Sequence, residues 1–396
     1  MSESIIQGKE PIYQRGIFTF SGSHLLNDLV TTGMVPALVV FYKNAFHLNY
    51  TQSTLVVLIS YLTSSISQPL FGVFADRKPR AWLLSLGLFC SIMGLALTAI
   101  APSFLWLLLF IAISGLGSGA FHPEASRATH LASGTNKSLA QAIFQVGGNS
   151  GQALGPLVVS LYIIHSGIHG LLWLIPVAIL SLGLTGQILP WLNHKLESAK
   201  LDSKKQLKGN NNYVGAILLS CVIILRSWCQ IGVVVFLPFY LHDLSIQQAE
   251  ILSFVFVGAG ALGTFFGGVF ADRLGMKRLL VGSMLIATPF ALVFPYVDGV
   301  WSVLVLLVFG FSVLSSFSVS VVFMQRMLPK NIGLASGLAI GFGVGAGGIG
   351  SVFMGKISDI FGVTTVFTIL SILPLVGALI AVFLPNDRKE KKQVAL

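Results

Sequence analysis

Two charged residues stand in the middle of long apolar runs, and together they form an acid and a base. Asp28 lies 12 residues after Gly16, about 18 Å along a helix, and Arg226 lies 13 residues after Tyr213 in a later run. Ionisable side chains are costly inside a bilayer, so embedded charges are the first candidates for chemistry. The planar fork of Arg226 suits an oxyanion such as a carboxylate, and Asp28 can take up and release a proton. As a pair they could exchange roles, protonation of Asp28 freeing Arg226 for an anion. The alternative is a fixed ion pair that holds two parts of the protein in register.

Polar neighbours extend this list. His24 precedes Asp28 by one helical turn, where it would either share the proton or serve as a hydrogen-bonded polar residue lining a cavity. Asn27 is adjacent and is expected to support substrate binding. Gln141, Gln145 and Asn149 recur at i, i+4 and i+8. Inside a membrane such a stripe faces either a substrate cavity or another helix. His122 and Glu124 fall at the expected end of a fourth helix, with Arg127 one turn later. They read as a gate touching substrate or as a second proton site, with a local Glu124–Arg127 pair as the alternative. Glu250 opens a later helix, where an acid is ordinary, and it is not taken as a candidate.

Enzyme chemistry finds little support. The three cysteines, Cys90, Cys221 and Cys229, all lie within apolar runs, which argues for packing rather than a disulfide framework. No metal-ligand spacing, nucleophile motif or phosphate-binding Gly-rich loop is present. No metal, cofactor or catalytic residue is expected, and ATP is not the expected energy source.

The elements that would position these residues are membrane helices. The 396 residues are 54% apolar and 10% charged, against about 25% charged in soluble domains. Between Ala81 and Phe121 there is no Asp, Glu, Lys or Arg, and Ala101-Pro102-Ser103 divides this stretch into two runs. Each is long enough to cross a ~30 Å hydrocarbon core. Uncharged runs predict twelve helices near 16–42, 52–75, 81–101, 104–123, 138–164, 168–191, 213–240, 247–271, 279–296, 300–324, 332–355 and 363–384. With the N-terminus inside, every Lys and Arg except Lys43, Lys356 and Arg226 falls in a cytoplasmic segment. That positive-inside bias places both termini in the cytoplasm and accounts for the +10 charge without a nucleic-acid partner.

The chain also repeats. Gly72-Val-Phe-Ala-Asp76-Arg77 recurs letter for letter as Gly268-Val-Phe-Ala-Asp272-Arg273. Phe41-Tyr42 and Phe239-Tyr240 end the first helix of each half at an offset of 198 residues, and the same offset carries Asp28 onto Arg226. The chain is expected to divide into an N-terminal six-helix half (1–192), a Lys-rich cytoplasmic linker (193–212) and a C-terminal six-helix half (213–396). Glycine in the repeated motif would let helices approach closely, the acid would cap or pair with a neighbouring helix end, and the basic residues would hold the loop at the anionic leaflet.

The second copy, continued through Leu274-Gly275-Met276-Lys277-Arg278, resembles the signature loop of the major facilitator superfamily. The first copy, Gly72 to Arg80, is a shortened form of it. Within that superfamily, Ser23-His-Leu-Leu-Asn-Asp28, Phe121-His-Pro-Glu-Ala-Ser-Arg127, Ala140 to Asn149 and Leu244-Ser-Ile-Gln247 resemble the fosmidomycin resistance protein family over nearly the whole chain. The resemblance implies an all-α membrane fold with gating loops at both repeats. It also implies proton-driven efflux of the phosphonate antibiotic fosmidomycin across the bacterial inner membrane.

Two departures qualify this. The arginine that opens the superfamily's fourth-helix motif is replaced by Ile111. The fifth-helix antiporter motif is present as Gly147, Gly151, Gly155 and Pro156, but its terminal glycine pair is Val159-Ser160. Close helix packing explains the same glycines. The expected partners are a small-molecule substrate, protons and lipid, and the unit is expected to work as a monomer. Import of a small anionic metabolite through the same fold is the competing reading.

Overall fold

A computed structural model describes residues 12–77, 80–134, 137–199, 210–241, 245–329, 335 and 337–386, without the side chains of 72–77, 137–139, 141, 142, 198, 199, 272 and 337. All regular structure among these residues is helical. Ten helices are long and apolar enough to cross a membrane, and a bent pair, Gln14–Ala37 and Val39–Ala45, makes the first span with a 53° break. The twelfth is the fifth in chain order, Lys137–Val158, prolonged by a π-turn, Val159–Ile163. Its Gln and Asn residues make it less apolar than the fourth and sixth helices. That agrees with its packing between the first and eighth helices rather than against lipid on all sides.

Three boundaries differ from the sequence expectation. The fourth helix does not stop at 123 but runs Phe104–Ala132 with Pro123 inside it. Proline removes one backbone donor, which a buried helix tolerates when neighbours support it. The tenth span breaks, Val300–Leu314 followed by Phe317–Met327, where Ser315 and Ser316 turn hydroxyls onto the carbonyls of Ser312 and Val313. The expected linker is partly ordered, since Asn193 to Ala199 continue a short helix, Leu189–Ala199, and 200–209 lie outside the described residues.

In the first half, the first helix packs on the fourth and fifth, and the fourth on the second and third. In the second half, the seventh (Tyr213–Tyr240) packs on the eleventh (Phe342–Phe361) and twelfth (Val363–Val382), and the eighth (Ile246–Leu274) on the tenth. Two seams join the halves, the second helix (Tyr50–Arg77) on the eleventh and the fifth on the eighth. At the face opposite the termini, both seams are tied. Asp359 of the eleventh helix accepts from the backbone N–H of Tyr50 (2.9 Å) and Thr51 (3.0 Å) and from the Thr51 hydroxyl, capping the second helix. Ser160 donates to the Gln247 carbonyl at 3.2 Å across the other seam.

The repeated loop is clear in its second copy. Gly275 ends the eighth helix at φ 93°, a left-handed conformation that favours glycine, and Met276 begins the ninth. Lys277 and Arg278 follow in the first turn, with Arg273 exposed. The close-approach role expected of Gly268 falls instead to Gly267. A Cβ at Gly267 would strike the Ser315 carbonyl, whereas one at Gly268 would meet only Ser318 Oγ at 3.7 Å. In the first copy, helix continues to Arg77, and the environment of Gly72 and the side chains of Asp76 and Arg77 lie outside the described residues, as does that of Asp272.

Candidate functional site

The first helix brings His24, Asn27 and Asp28 into one turn, immediately before a π-turn over Leu29–Met34. It lies close to the fifth helix because glycines there present bare backbone. A Cβ on Gly151 would strike the Leu25 carbonyl, and one on Gly155 the backbone of Gly33. Gly147 meets the backbone of Ser21 in the same row. Close packing is therefore a sufficient reason for the Gly147, Gly151 and Gly155 motif. Gly148, beside that motif, faces the charged turn itself. A Cβ there would run into the His24 ring and lie 2.8 Å from Asp28 Oδ2.

Because the fourth helix continues past Pro123, His122 sits within the helix and reaches Asp28. The Asp28 carboxylate is held between two imidazoles, with His24 Nε2 3.2 Å from Oδ2 and His122 Nε2 3.2 Å from Oδ1. The other ring nitrogens have fixed partners. His24 Nδ1 lies 2.9 Å from the Phe144 carbonyl, and His122 Nδ1 lies 2.9 Å from the Ser118 carbonyl. A carbonyl oxygen only accepts, so each Nδ1 carries hydrogen and donates. In a neutral imidazole, Nε2 is then a bare lone pair. Two bare nitrogens would thus face the two oxygens of a carboxylate, acceptor against acceptor. A proton on a ring or on the carboxyl converts such a contact into a charge-assisted hydrogen bond. Without such a proton, the two contacts would set acceptor against acceptor.

Its surroundings are polar and buried. Asn27 donates to Asp28 Oδ1 at 3.0 Å and to Ser118 Oγ at 3.1 Å, Ser64 donates to Ser118 Oγ at 3.4 Å, and Gln68 donates to Ser64 at 3.3 Å. This chain links the first, second and fourth helices. Sequence reading misses Ser64, Gln68 and Ser118, since serine spacing in a helix carries little signal before the neighbouring helices are placed.

Arg226 occupies the facing half but does not pair with Asp28, which corrects the expected ion pair. Its Nη1 donates to Ser320 Oγ at 3.4 Å, its guanidinium lies 4.7 Å over the Phe317 ring, and its Nε has no partner. Each charge is engaged within its own half, Asp28 by the histidines and Arg226 in part by a hydroxyl and an aromatic face. Both line one cavity of about 260 Å³, together with His24, His122, Gln145 and Asn149. Gln152 and Gln230 also line it and are not expected from the sequence. Gln145 donates to Asn149 at 3.4 Å, while the side chain of Gln141 lies outside those described.

Asn27 is buried behind Asp28, outside the cavity lining. Glu124 is likewise not among the lining residues, being fully buried and bonded to Arg127 at 3.2 Å. The structure brings together His24, Asp28, His122, Arg226, Gln145 and Asn149, and leaves Glu124 apart. The second repeated loop stands at the end of the eighth helix remote from Ser245. The ligating atoms of His24, Asp28 and His122 lie within 4.8 Å of one another, so the triad could also hold a small divalent cation.

A family model for the Major Facilitator Superfamily matches residues 20–339 and 219–396. The chain is 38% identical over 376 residues to the uncharacterized MFS-type transporter YfnC of Bacillus subtilis (strain 168), covering 92% of this chain and 91% of that protein. It is 36% identical over 373 residues to the fosmidomycin resistance protein of Escherichia coli (strain K12), again covering 92% and 91%. Among solved structures, the nucleoside transporter NupG superposes with a TM-score of 0.72 at 16% identity, over 93% of this chain and 97% of that one. A bacterial homolog of the human lysosomal transporter Spinster, inward-facing and unoccupied, gives 0.71 at 16% identity, over 95% of both. With twelve helices in that fold and relatives matched over nine-tenths of its length, this chain is a transporter of the major facilitator superfamily, in the family of the fosmidomycin resistance protein.

Proposed function

We propose that this transporter is a proton-coupled antiporter that exports fosmidomycin or related small anionic compounds from the bacterial cytoplasm. In this reading both termini are cytoplasmic, as the distribution of Lys and Arg favours. The six-helix halves, 1–192 and 213–396, rock about the central cavity as a monomer, joined through 193–212. The observation that carries it is the His24–Asp28–His122 triad and Arg226, from opposite halves, lining one cavity. The fosmidomycin resistance protein of E. coli, at 36% identity, supplies the substrate class.

Arg226 is the anion contact, with an unpartnered Nε and a fork suited to phosphonate. The triad is the proton site. Antiport requires proton and substrate to exclude one another, whereas an anion on Arg226 would by charge alone favour protons on the triad. Exclusion follows if a hydroxyl or N–H of the substrate donates to the acceptors that the protons vacate, with its anionic group on Arg226. Gln145 and Asn149 then complete the polar wall.

The test is transport of fosmidomycin in everted vesicles with an imposed pH gradient. An Asp28→Asn variant should still exchange substrate but lose its response to the gradient. Gradient-driven transport at the wild-type rate in that variant would sink the coupling role.

A further inference from the structure

Glu250 is a second buried acid, far from the triad. It lies five residues beyond Ser245, whose side chain caps the eighth helix, and so only about 7 Å from that helix's start at the face opposite the termini. Yet it is fully buried, and neither carboxyl oxygen has a hydrogen-bond partner. Ser253, one turn further in, is also fully buried with an unpartnered hydroxyl. An isolated carboxylate cannot stay ionised in such surroundings, because nothing replaces the water it has lost.

Its place in the bundle gives this burial a consequence. The fifth helix packs on the eighth at this level, with Ser160 donating to Gln247 three residues before Glu250. Further along the eighth helix, Val257, Ala261 and Thr264 recur on the face that carries Glu250 and Ser253. They line a small cavity of about 20 Å³ with Asn149, Gln152 and Gln230. That is room for about one water, beside residues that also line the central cavity. The stripe Glu250, Ser253, Val257, Ala261 therefore runs along the seam between the halves from the outer face towards the substrate cavity. The other elements packed on this helix are the seventh, ninth and tenth. Arg226 is the one charged side chain the seventh contributes to the cavity region, and it lies at the level of Ser320, well inside. No charged or titratable group among the described residues acts on Glu250 from the fifth, seventh, ninth or tenth helix.

We propose that Glu250 is a second proton-carrying residue, neutral while the fifth and eighth helices are closed on it and ionised once they part. On opening, its carboxyl O–H bond breaks and the proton passes to water entering the seam. Closing requires a proton from the outer solution to re-form that bond before the side chain is buried again. This rests on the proton-coupled reading above and extends it. The triad would gate the central cavity, and Glu250 would make closure of the outer seam depend on external protons.

The experiment uses the full chain in lipid nanodiscs, without substrate, comparing wild type with Glu250→Gln. The first readout is the infrared carbonyl band of a protonated carboxylic acid at neutral pH. The second is the distance between labels at Asn44 and Thr364, both exposed at the outer face, as a function of pH. Glu250→Gln should remove one acid band. In wild type the closed population should fall by up to about tenfold per pH unit once Glu250 ionises, the limit for one proton. The Gln variant should stay closed throughout, and Glu250→Asp should restore both the band and the pH response. An unchanged band, or identical pH profiles in wild type and Gln variant, would overturn the proposal. Neither readout requires transport, so loss of gradient-driven export in Asp28→Asn and failure here are separate results.

Discussion

The cap formed by Asp359 on the second helix is the most direct place to perturb the balance between conformations. Removing the side chain in Asp359→Ala deletes one acceptor for each of the Tyr50 and Thr51 N–H groups and for the Thr51 hydroxyl. Loss of an N-cap costs about 0.5–2 kcal/mol, and loss of a negative charge at a helix N-terminus a further ~0.3–1 kcal/mol at low ionic strength. Asp359 is exposed, so water replaces part of both. A value near 1 kcal/mol follows, which is about fivefold in an equilibrium constant. The cap joins the halves only while the second and eleventh helices are together at this face, so the loss falls on the closed state alone. Distances between labels at Asn44 and Thr364 should therefore show the open population rising about fivefold in Asp359→Ala. Asp359→Asn, which can still accept, should move it less. Because charge contributes, high salt should reduce the difference between Asp and Asn. An unchanged distance distribution in Asp359→Ala would refute the reasoning, since the hydrogen bonds would then not distinguish the two states.

Two further substitutions test the site. Gly148→Ala would drive a methyl group into the His24 ring and against Asp28, at roughly 1–3 kcal/mol for overpacking. Thermal unfolding of the purified protein should show that loss, while Gly183→Ala, with nothing within 4 Å of its Cβ, should not. Arg226→Lys keeps the charge but loses the fork, and should weaken binding of a phosphonate roughly tenfold, about 1.4 kcal/mol. Direct binding to purified protein checks it, and equal affinity would mean that the fork is not used.

The helical architecture is largely legible because bilayer thickness is read along the chain, without knowing what touches what. The failures are local and physical. Pro123, Glu124 and Arg127 look like a helix end, yet the fourth helix carries them inside protein, where Glu124 bonds to Arg127. That single boundary hides the triad, because it places His122 at the membrane surface instead of against Asp28. His24 and Asp28 are legible because they lie one turn apart on one helix. Glu250 escapes notice for the opposite reason. A position near a helix start suggests exposure, and only the packing of neighbouring helices on the eighth buries it. Depth, not residue type, is what the sequence conveys poorly.

The equivalence of Asp28 and Arg226 survives in a different form from the one the repeat suggests. Two opposite charges at matching positions would neutralise each other if they met, leaving a cavity with little hold on an anion. Here they do not meet. The first half satisfies its acid with two imidazoles whose outer nitrogens are tied to backbone carbonyls, and the second sets its base against Ser320 and Phe317. Arg226 thereby keeps an unpartnered Nε while remaining buried. The histidines tie the charge of Asp28 to proton occupancy rather than to the arginine. A direct ion pair would have made proton release and anion release one event, because each would free the partner of the other. In the proposed antiport cycle, separate satisfaction would let the two halves be loaded independently and be coupled only through what occupies the space between them.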